Sequence, residues 1–207
     1  MTLPEQITSV KRFRESIFKE KGSEFIAQVF PAENTEECDV ALSAVKKKYF
    51  NATHHCYAYK LLNNVNKFSD DGEPSGTAGK RILNAIEHFD LVNLLVVVIR
   101  YFGGTKLGVG PLGKAYYTSA FNLLDKSEKI SKSLLQKIRI VTSPTFISSI
   151  YRITSNFDGK VENTSFGEEL ICEIVIPARN MDLLKNDIKE LTSGNFQLKT
   201  ASKPFYL

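Results

Sequence analysis

The sequence predicts an α+β protein built from two domains, one over residues 1–130 and one over residues 131–207. A length of 207 residues suits one large domain or two small ones. Segments of helical and strand periodicity alternate through both halves. Between the halves, the polar stretch Ser127–Ser133 has no periodicity, and we predict that it is the linker.

Composition is that of a globular protein, with 43% hydrophobic and 24% charged residues. The net charge of +4 is mild and shared by both halves, so affinity for nucleic acid must come from local clustering of basic residues. Three cysteines without a Cys-x-x-Cys pair argue against a disulfide framework and a structural zinc site. No signal peptide is visible, and the longest apolar run, Leu94–Ile99, is too short to span a membrane. We therefore expect a cytoplasmic protein with reduced thiols, no membrane contact and no cofactor.

The first elements of the N-terminal domain are predicted from turn, capping and periodicity signals. Apolar residues on both sides of Lys21-Gly22-Ser23 predict two short strands within Ser16–Pro31. Asn34 and Glu37 have the spacing of a capping box, so a helix is predicted over Asn34–Phe50. A strand follows over Thr53–Leu62.

The rest of this domain alternates helix, strand and helix. A helix is predicted over Ser75–Phe89, with Ser75 as its N-cap. The β-branched run Val92–Phe102 is typical of a strand covered on both faces. The last helix, Pro111–Lys126, has a proline where its fixed φ suits a helix start.

The C-terminal domain has the predicted order β-α-β-β-α-β, which is that of a ferredoxin-like unit. Its predicted elements are Leu134–Val141, Thr145–Asn156, a hairpin formed by Lys160–Phe166 and Leu170–Ile176, Met181–Leu191 and Phe196–Ala201.

Eight of the twelve glycines lie between Gly72 and Gly113, in two loops that each open a helix. Glycine is useful where φ is positive or where another group approaches the main chain. A glycine-rich loop that leads into a helix offers free amides to an anion, so we predict an anion or nucleic-acid site rather than a tight turn with solvated lysines. The predicted site residues are Lys80, Arg81, Arg100, Gly103, Gly104, Lys106, Gly108, Gly110 and Lys114, with His54, His55 and Tyr57 beside them.

Two nucleotide-binding motifs overlap this loop but lack their required context. Gly108–Gly113 spells G-x-G-x-x-G, but five residues separate it from the strand, and no acidic residue ends a following strand. Gly108–Lys114 spells G-x-x-x-x-G-K, but Ala115 stands where a hydroxyl would hold magnesium. We therefore prefer a general anion site to either kind of nucleotide-binding site.

The acidic residues Asp70, Asp71 and Glu73 lie within four positions. We first expect them to pair with Arg100, Lys106 or Lys114, and second to bind a hard cation. With His54 or His55 they form an alternative, a metal-assisted hydrolase of a small or nucleotide substrate. Adjacent Cys56 and His55 point apart on a strand, so no catalytic residue is assigned and a non-enzymatic protein is favoured.

The N-terminal half contains five motifs in this order: FKEKGSEF from Phe18, HHCYAY from His54, FSDDGEPSGTAGK from Phe68, RYFGG from Arg100 and KLGVG from Lys106. Taken together, they resemble those of the IMPACT/YigZ family through residues 16–120. The resemblance implies an N-terminal domain similar to the second domain of a small-subunit ribosomal protein and a C-terminal domain similar to domain five of elongation factor G. Both likenesses point toward RNA or the ribosome.

Eukaryotic relatives regulate translation through the activation of an initiation-factor kinase under amino-acid starvation, a stress response. A bacterial-type chain ending in the second domain would lack their partner-binding domain. The chain departs from the pattern at Pro111, Gly113 and Glu24, and Glu24 interrupts a continuous basic surface. We expect a cytosolic protein that regulates translation by contacting RNA, the ribosome or a translation factor, with no prediction of its oligomeric state.

Overall fold

In the computed structural model, which describes residues 3–62 and 65–207, the chain divides into two units. Residues 8–131 form the first unit, and residues 132–207 form the second together with the N-terminal segment that ends at Ile7. The described residues contain two sheets and five α-helices, which confirms the mixed α+β class. None of the helices in these ranges has the length and apolar character needed to cross a membrane.

The elements up to the end of the first unit are β1 (Gln6–Val10), β2 (Arg14–Glu20), β3 (Ser23–Pro31), α1 (Thr35–Lys48), β4 (His54–Lys60), β5 (Asn66–Ser69), α2 (Gly79–His88), β6 (Leu94–Tyr101) and α3 (Val109–Asp125). This unit contains an antiparallel five-stranded sheet with the strand order β2-β3-β6-β4-β5. The predicted helices and strands of this half are found, but α2 begins later than predicted, and the short strands β1 and β5 were not predicted.

Strand β6 lies at the centre of this sheet and is covered on both faces. Val96 and Val98 belong to the core formed with α2 and α3. Leu95, Val97 and Ile99 belong to the core on the side of α1. The β-branched run in the sequence is therefore explained, because alternate side chains of one strand enter two different apolar layers.

Helix α1 begins as the capping-box spacing predicts. The side chain of Asn34 accepts a hydrogen bond of 2.9 Å from the amide of Glu37. The carboxylate of Glu37 accepts one of 2.7 Å from the amide of Glu33. These contacts satisfy amides that have no partner inside the helix.

Helix α2 begins at Gly79, so the prediction that Ser75 caps it is wrong. Asp70 takes this role from outside the helix. Its Oδ1 accepts the amides of Ala78 and Gly79 at 2.9 and 2.8 Å, and its Oδ2 accepts the amide of Gly76 at 2.8 Å. A carboxylate satisfies these amides and complements the positive end of the helix better than a single hydroxyl does.

The remaining elements are β7 (Lys129–Thr142), α4 (Ile147–Asn156), β8 (Lys160–Phe166), β9 (Leu170–Pro177), α5 (Met181–Leu191), β10 (Gln197–Thr200) and β11 (Phe205–Tyr206). The second unit contains a helical pair and a sheet in which β10, β7, β9 and β8 are neighbours in that order. Its apolar core includes Ile138, Ile150, Ile174 and Leu184. The likenesses to a ribosomal-protein domain and to elongation factor G domain five stay predictions.

The predicted linker is wrong for most of its length, because Lys129–Ser133 is the first part of strand β7. Ser133 exchanges backbone hydrogen bonds of 2.9 and 3.2 Å with Leu207. The amide of Leu134 donates to the carbonyl of Glu5 at 2.8 Å. The partners of this segment come from both ends of the chain, and its local sequence carries no sign of them.

Candidate functional site

A cavity of about 330 Å³ lies where strand β6 ends and helix α3 begins. Five of its lining residues are apolar and form most of its wall. Three others carry charge, namely Glu73, Arg100 and Lys106. The remaining residues are Pro74, Phe102, Leu107, Gly108, Val109 and Leu112. This composition suits a ligand with a flat or apolar body and an anionic group.

A buried ion pair forms the floor of this cavity. Nη1 of Arg100 donates to Oε1 of Glu73 at 2.6 Å, and their side chains are only 6% and 5% exposed. The hydroxyl of Tyr116 donates to the same Oε1 at 2.7 Å. Nη2 of Arg100 donates to the hydroxyl of Ser23 at 3.2 Å. Two charges this deep are held because each has further hydrogen bonds.

His54 and Cys56 extend this network along strand β4. Nε2 of His54 lies 3.7 Å from Oε2 of Glu73, and its Nδ1 lies 2.8 Å from the carbonyl of Asp71. The thiol of Cys56 lies 3.0 Å from the carbonyl of Asp70 and 3.4 Å from the hydroxyl of Tyr116. Burial raises the pKa of Cys56 and that of Tyr116, with Cys56 and Glu73 adding to the second shift. Both groups are therefore neutral donors at physiological pH, not nucleophiles.

Arg100 has one hydrogen-bonding atom without a partner. Its guanidinium carbon lies 5.5 Å from the ring centres of both Phe25 and Phe102, which favours the cation electrostatically. Its Nε is buried and has no hydrogen-bond partner among residues 3–62 and 65–207. A buried donor without a partner costs free energy, and the Arg100 side chain that carries it lines the cavity.

The start of helix α3 offers main-chain amides at the edge of the same cavity. Gly108 has φ +83° and provides no side-chain cap. The amides of Val109 and Gly110 make no hydrogen bond to any part of the chain that the structure describes. Lys106 is exposed, and no ion pair joins it to a described carboxylate. Free amides, a helix dipole and a cation together favour an anion.

The three neighbouring carboxylates have three different partners. The expected pairing with Arg100 is confirmed for Glu73, whereas Lys106 and Lys114 pair with none of them. Asp70 caps α2. Asp71 accepts the amide of His55 at 2.7 Å and lies 3.5 Å from Nζ of Lys46. Across the described ranges, no group of three His, Cys, Asp or Glu side chains could hold a metal ion, so the hydrolase alternative lacks its expected geometry.

Most glycines of the two loops have structural reasons, which weakens the argument from glycine density to an anion site. Gly103 lies against the backbone of Gly22, where an added Cβ would be 1.9 Å from the Gly22 carbonyl carbon. Gly104 and Gly108 have φ values of +84° and +83°, which favour glycine. Gly110 precedes Pro111, and a side chain before proline disfavours helical backbone. Glycine density by itself therefore does not indicate a ligand.

The remaining predicted residues do not converge on this cavity. Lys114 and Gly110 line a neighbouring cavity of about 530 Å³ with Lys21. Lys80 and Arg81 are exposed on helix α2. His55 and Tyr57 were expected beside the glycine-rich loop, but they lie on the α1 side of the sheet. Nε2 of His55 lies 3.0 Å from the carbonyl of Tyr49, and Tyr57 packs in the α1 core.

Sequence reasoning missed the polar role of Tyr116 and Ser23 and the place of Phe102. Tyr116 has helical spacing with Leu112 and Ala120, which is typical of an apolar core residue, and it is fully buried. Its hydroxyl was the available signal, because a buried tyrosine oxygen usually has a hydrogen-bond partner. Phe102 lies at the end of a buried strand and is 45% exposed. From the sequence alone, this exposed position could not be distinguished from a buried core position.

Comparison with known proteins gives consistent matches. A family model described as the Impact N-terminal domain matches residues 21–124, half of the chain. The IMPACT family member YvyE of Bacillus subtilis is 29% identical over 193 residues, covering 92% of this chain and 89% of that protein. The IMPACT family member YigZ of Escherichia coli is 28% identical over 182 residues, covering 86% and 89%.

Two further comparisons bear on the first unit and on the fold. Protein IMPACT of Oryctolagus cuniculus is 36% identical over 94 residues, which is 43% of this chain and 30% of that protein. A crystal structure described as that of an hypothetical protein has a TM-score of 0.69 and 25% identity. It covers 97% of this chain, and this chain covers all of it.

Proposed function

Because the chain belongs to the IMPACT family, we propose that it is a non-enzymatic cytosolic protein linked to the regulation of translation, and that it binds RNA. The surface that we assign to RNA is defined by Phe102, Lys106, the start of helix α3 and Lys114. Family membership supports the link to translation, since the eukaryotic members that it resembles are translation regulators. A ribosomal or translation-factor protein surface is the competing partner.

One observation carries the proposal. At the start of α3, the unpaired amides of Val109 and Gly110 lie beside the exposed Lys106, next to a largely apolar cavity. This surface favours an anionic group beside a flat apolar group. RNA has both, because the phosphates of RNA are anionic and its unstacked bases are flat and apolar on both faces. A protein ligand would need an acidic group and an aromatic group at the same spacing.

The metal-assisted hydrolase is not retained as a second candidate. Glu73 already accepts hydrogen bonds from Arg100 and Tyr116, and Asp70 accepts three backbone amides. Releasing either carboxylate to a metal would leave a buried guanidinium or a helix start without its partner. These carboxylates stabilise the site rather than acting on a substrate.

The test is the affinity of the full chain for single-stranded RNA, measured by fluorescence anisotropy between about 50 and 200 mM salt. Three to five phosphate contacts predict a log–log slope of about −2 to −3.5. The double variant Lys106→Ala, Lys114→Ala should weaken binding and make the slope shallower by about 1.4. The matched control is Lys47→Ala, Lys48→Ala on α1, which removes the same charge from two exposed positions.

The outcomes separate the two classes of partner. Equal loss in both double variants would mean that net charge, not this surface, governs binding. No RNA binding by the unaltered chain, with a translation-factor protein captured through Lys106 and Lys114 instead, would replace RNA by protein as the partner.

A further inference from the structure

We propose, resting on the function proposed above, that the cavity between β6 and α3 takes one unstacked nucleotide of the bound RNA. Its base lies against Phe102, its edge is read by Glu73 and Arg100, and its phosphate lies near Lys106 and the start of α3. The salt test described above measures only the phosphate contacts of that surface. A nucleotide-sized cavity with a polar floor adds a site that contacts a base.

The size and walls of the cavity suit a base. A volume of about 330 Å³ is that of a small ligand site. Phe102 lies at its wall with 45% of its surface exposed, and Arg100 approaches its ring at 5.5 Å. Unstacked bases in RNA are commonly stacked on aromatic side chains and arginine planes. Leu107, Val109 and Leu112 complete the apolar wall.

Two polar side chains, Arg100 and Glu73, line the floor of the cavity. Nε of Arg100 is a buried donor without a partner in the described part of the chain. Oε1 of Glu73 is occupied by two donors, whereas the contact recorded for its Oε2 is His54 at 3.7 Å. A base edge that presents an acceptor next to a donor is complementary to Nε of Arg100 and Oε2 of Glu73. Base edges have such patterns.

The floor is also rigid before a ligand arrives. Arg100 is held by Glu73, Ser23 and the ring of Phe25, and Glu73 is held by Tyr116. Groups that are already fixed lose little conformational entropy on binding. This arrangement favours recognition of a base edge over non-specific contact with the backbone.

The experiment titrates the full chain with each of the four nucleoside 5′-monophosphates and, separately, with inorganic phosphate, by isothermal calorimetry or NMR. Phe102→Leu is compared with Phe68→Leu, because Phe68 is also 45% exposed and lies on the edge strand β5. Loss of stacking should weaken binding of at least one nucleotide by about tenfold in Phe102→Leu. Phe68→Leu should match the unaltered chain, and neither change should alter the response to phosphate.

The results distinguish this inference from the function on which it rests. If single-stranded RNA binds through Lys106 and Lys114, but Phe102→Leu behaves as Phe68→Leu does, the nucleotide cavity is overturned and RNA binding stands. If all four nucleotides bind no better than inorganic phosphate, the same conclusion follows. If mononucleotides bind and RNA does not, the cavity is not an RNA site, and both proposals fail. Thermal unfolding of each variant checks that it is folded.

Discussion

Arg100 shows what sequence reasoning could reach at the scale of a residue. The acidic loop was predicted to pair with this arginine, and Glu73 does so at 2.6 Å. The sequence could not predict which of the three carboxylates pairs with Arg100, because this pairing depends on strand register. Arg100 lies opposite Phe25 on one neighbouring strand and opposite His54 on the other, and both pairings join distant parts of the chain. The same register separates His54 from His55 and leaves only His54 near the cavity.

The buried pair makes Glu73 the most sensitive residue of the site. Glu73→Gln leaves a buried guanidinium without a counter-charge, and we expect it to lower the free energy of unfolding by about 3–5 kcal/mol. Tyr116→Phe removes one hydrogen bond to a charged group, with an expected loss of about 1.5–3 kcal/mol. Urea unfolding of each variant measures these changes.

An exposed ion pair provides the control for this prediction. Lys19 lies 3.0 Å from Glu24 with its side chain 73% exposed. Lys19→Gln should leave the urea midpoint unchanged, because solvent screens such pairs. A Glu73→Gln protein as stable as Lys19→Gln would contradict the role given to the buried pair.

Burial of cysteine and tyrosine side chains also predicts how the free energy of unfolding changes with pH. The pKa values of Cys56 and Tyr116 are raised by burial, and that of Cys38 is raised to about 11. Their folded forms stay protonated where the unfolded chain, with a cysteine pKa of about 8.5, begins to ionise. The stabilisation is therefore complete below that pH and is lost as pH rises toward the folded pKa values.

The free energy of unfolding should accordingly fall between pH 8 and 10, by up to about 1.4 kcal/mol per pH unit for each of the two cysteines. Urea unfolding across this range measures the slope. Cys56→Ala should give a shallower decline than the unaltered chain. A profile that is flat or rises above pH 8.5 would mean that these groups are not buried as described.

At the scale of elements, local signals succeeded where the stabilising contacts are local. Helix α5 was predicted at Met181–Leu191 and is found there, because its apolar period is complete. The cap of α1 was also predicted, since Asn34 and Glu37 lie within one turn. The start of α2 was missed because its cap, Asp70, lies on the loop after β5. The first part of β7 was missed because its hydrogen-bond partners include Leu207.

The corrected start of α2 gives a direct test. Asp70→Ala removes the acceptor of three amides and should lower the free energy of unfolding by about 1–2 kcal/mol or more. Ser75→Ala removes the hydroxyl that the sequence suggested as the cap, and it should leave stability unchanged. Urea unfolding of the two variants measures the difference. Equal losses of unfolding free energy in the two variants would support Ser75 as a cap of the helix.

At the scale of the whole molecule, the α+β class was predicted correctly from the sequence. One argument about function, the argument from glycine density, was misleading. The density of glycines suggested a binding surface, yet a positive φ or a close backbone approach explains six of the eight. What points to a ligand is instead a property of the folded first unit. The loop after β6, the start of α3 and Glu73 meet around a cavity with unpaired donors. With a net charge of only +4, RNA affinity depends on that local arrangement.

The most direct test is photo-crosslinking of the full chain to a single-stranded RNA that contains 4-thiouridine, followed by identification of the crosslinked peptides. The account predicts crosslinks concentrated between Phe102 and Lys114, which disappear in the Lys106→Ala, Lys114→Ala variant and persist in the Lys47→Ala, Lys48→Ala control. Crosslinks confined to the second unit, or to helix α1, would place RNA elsewhere and contradict the account.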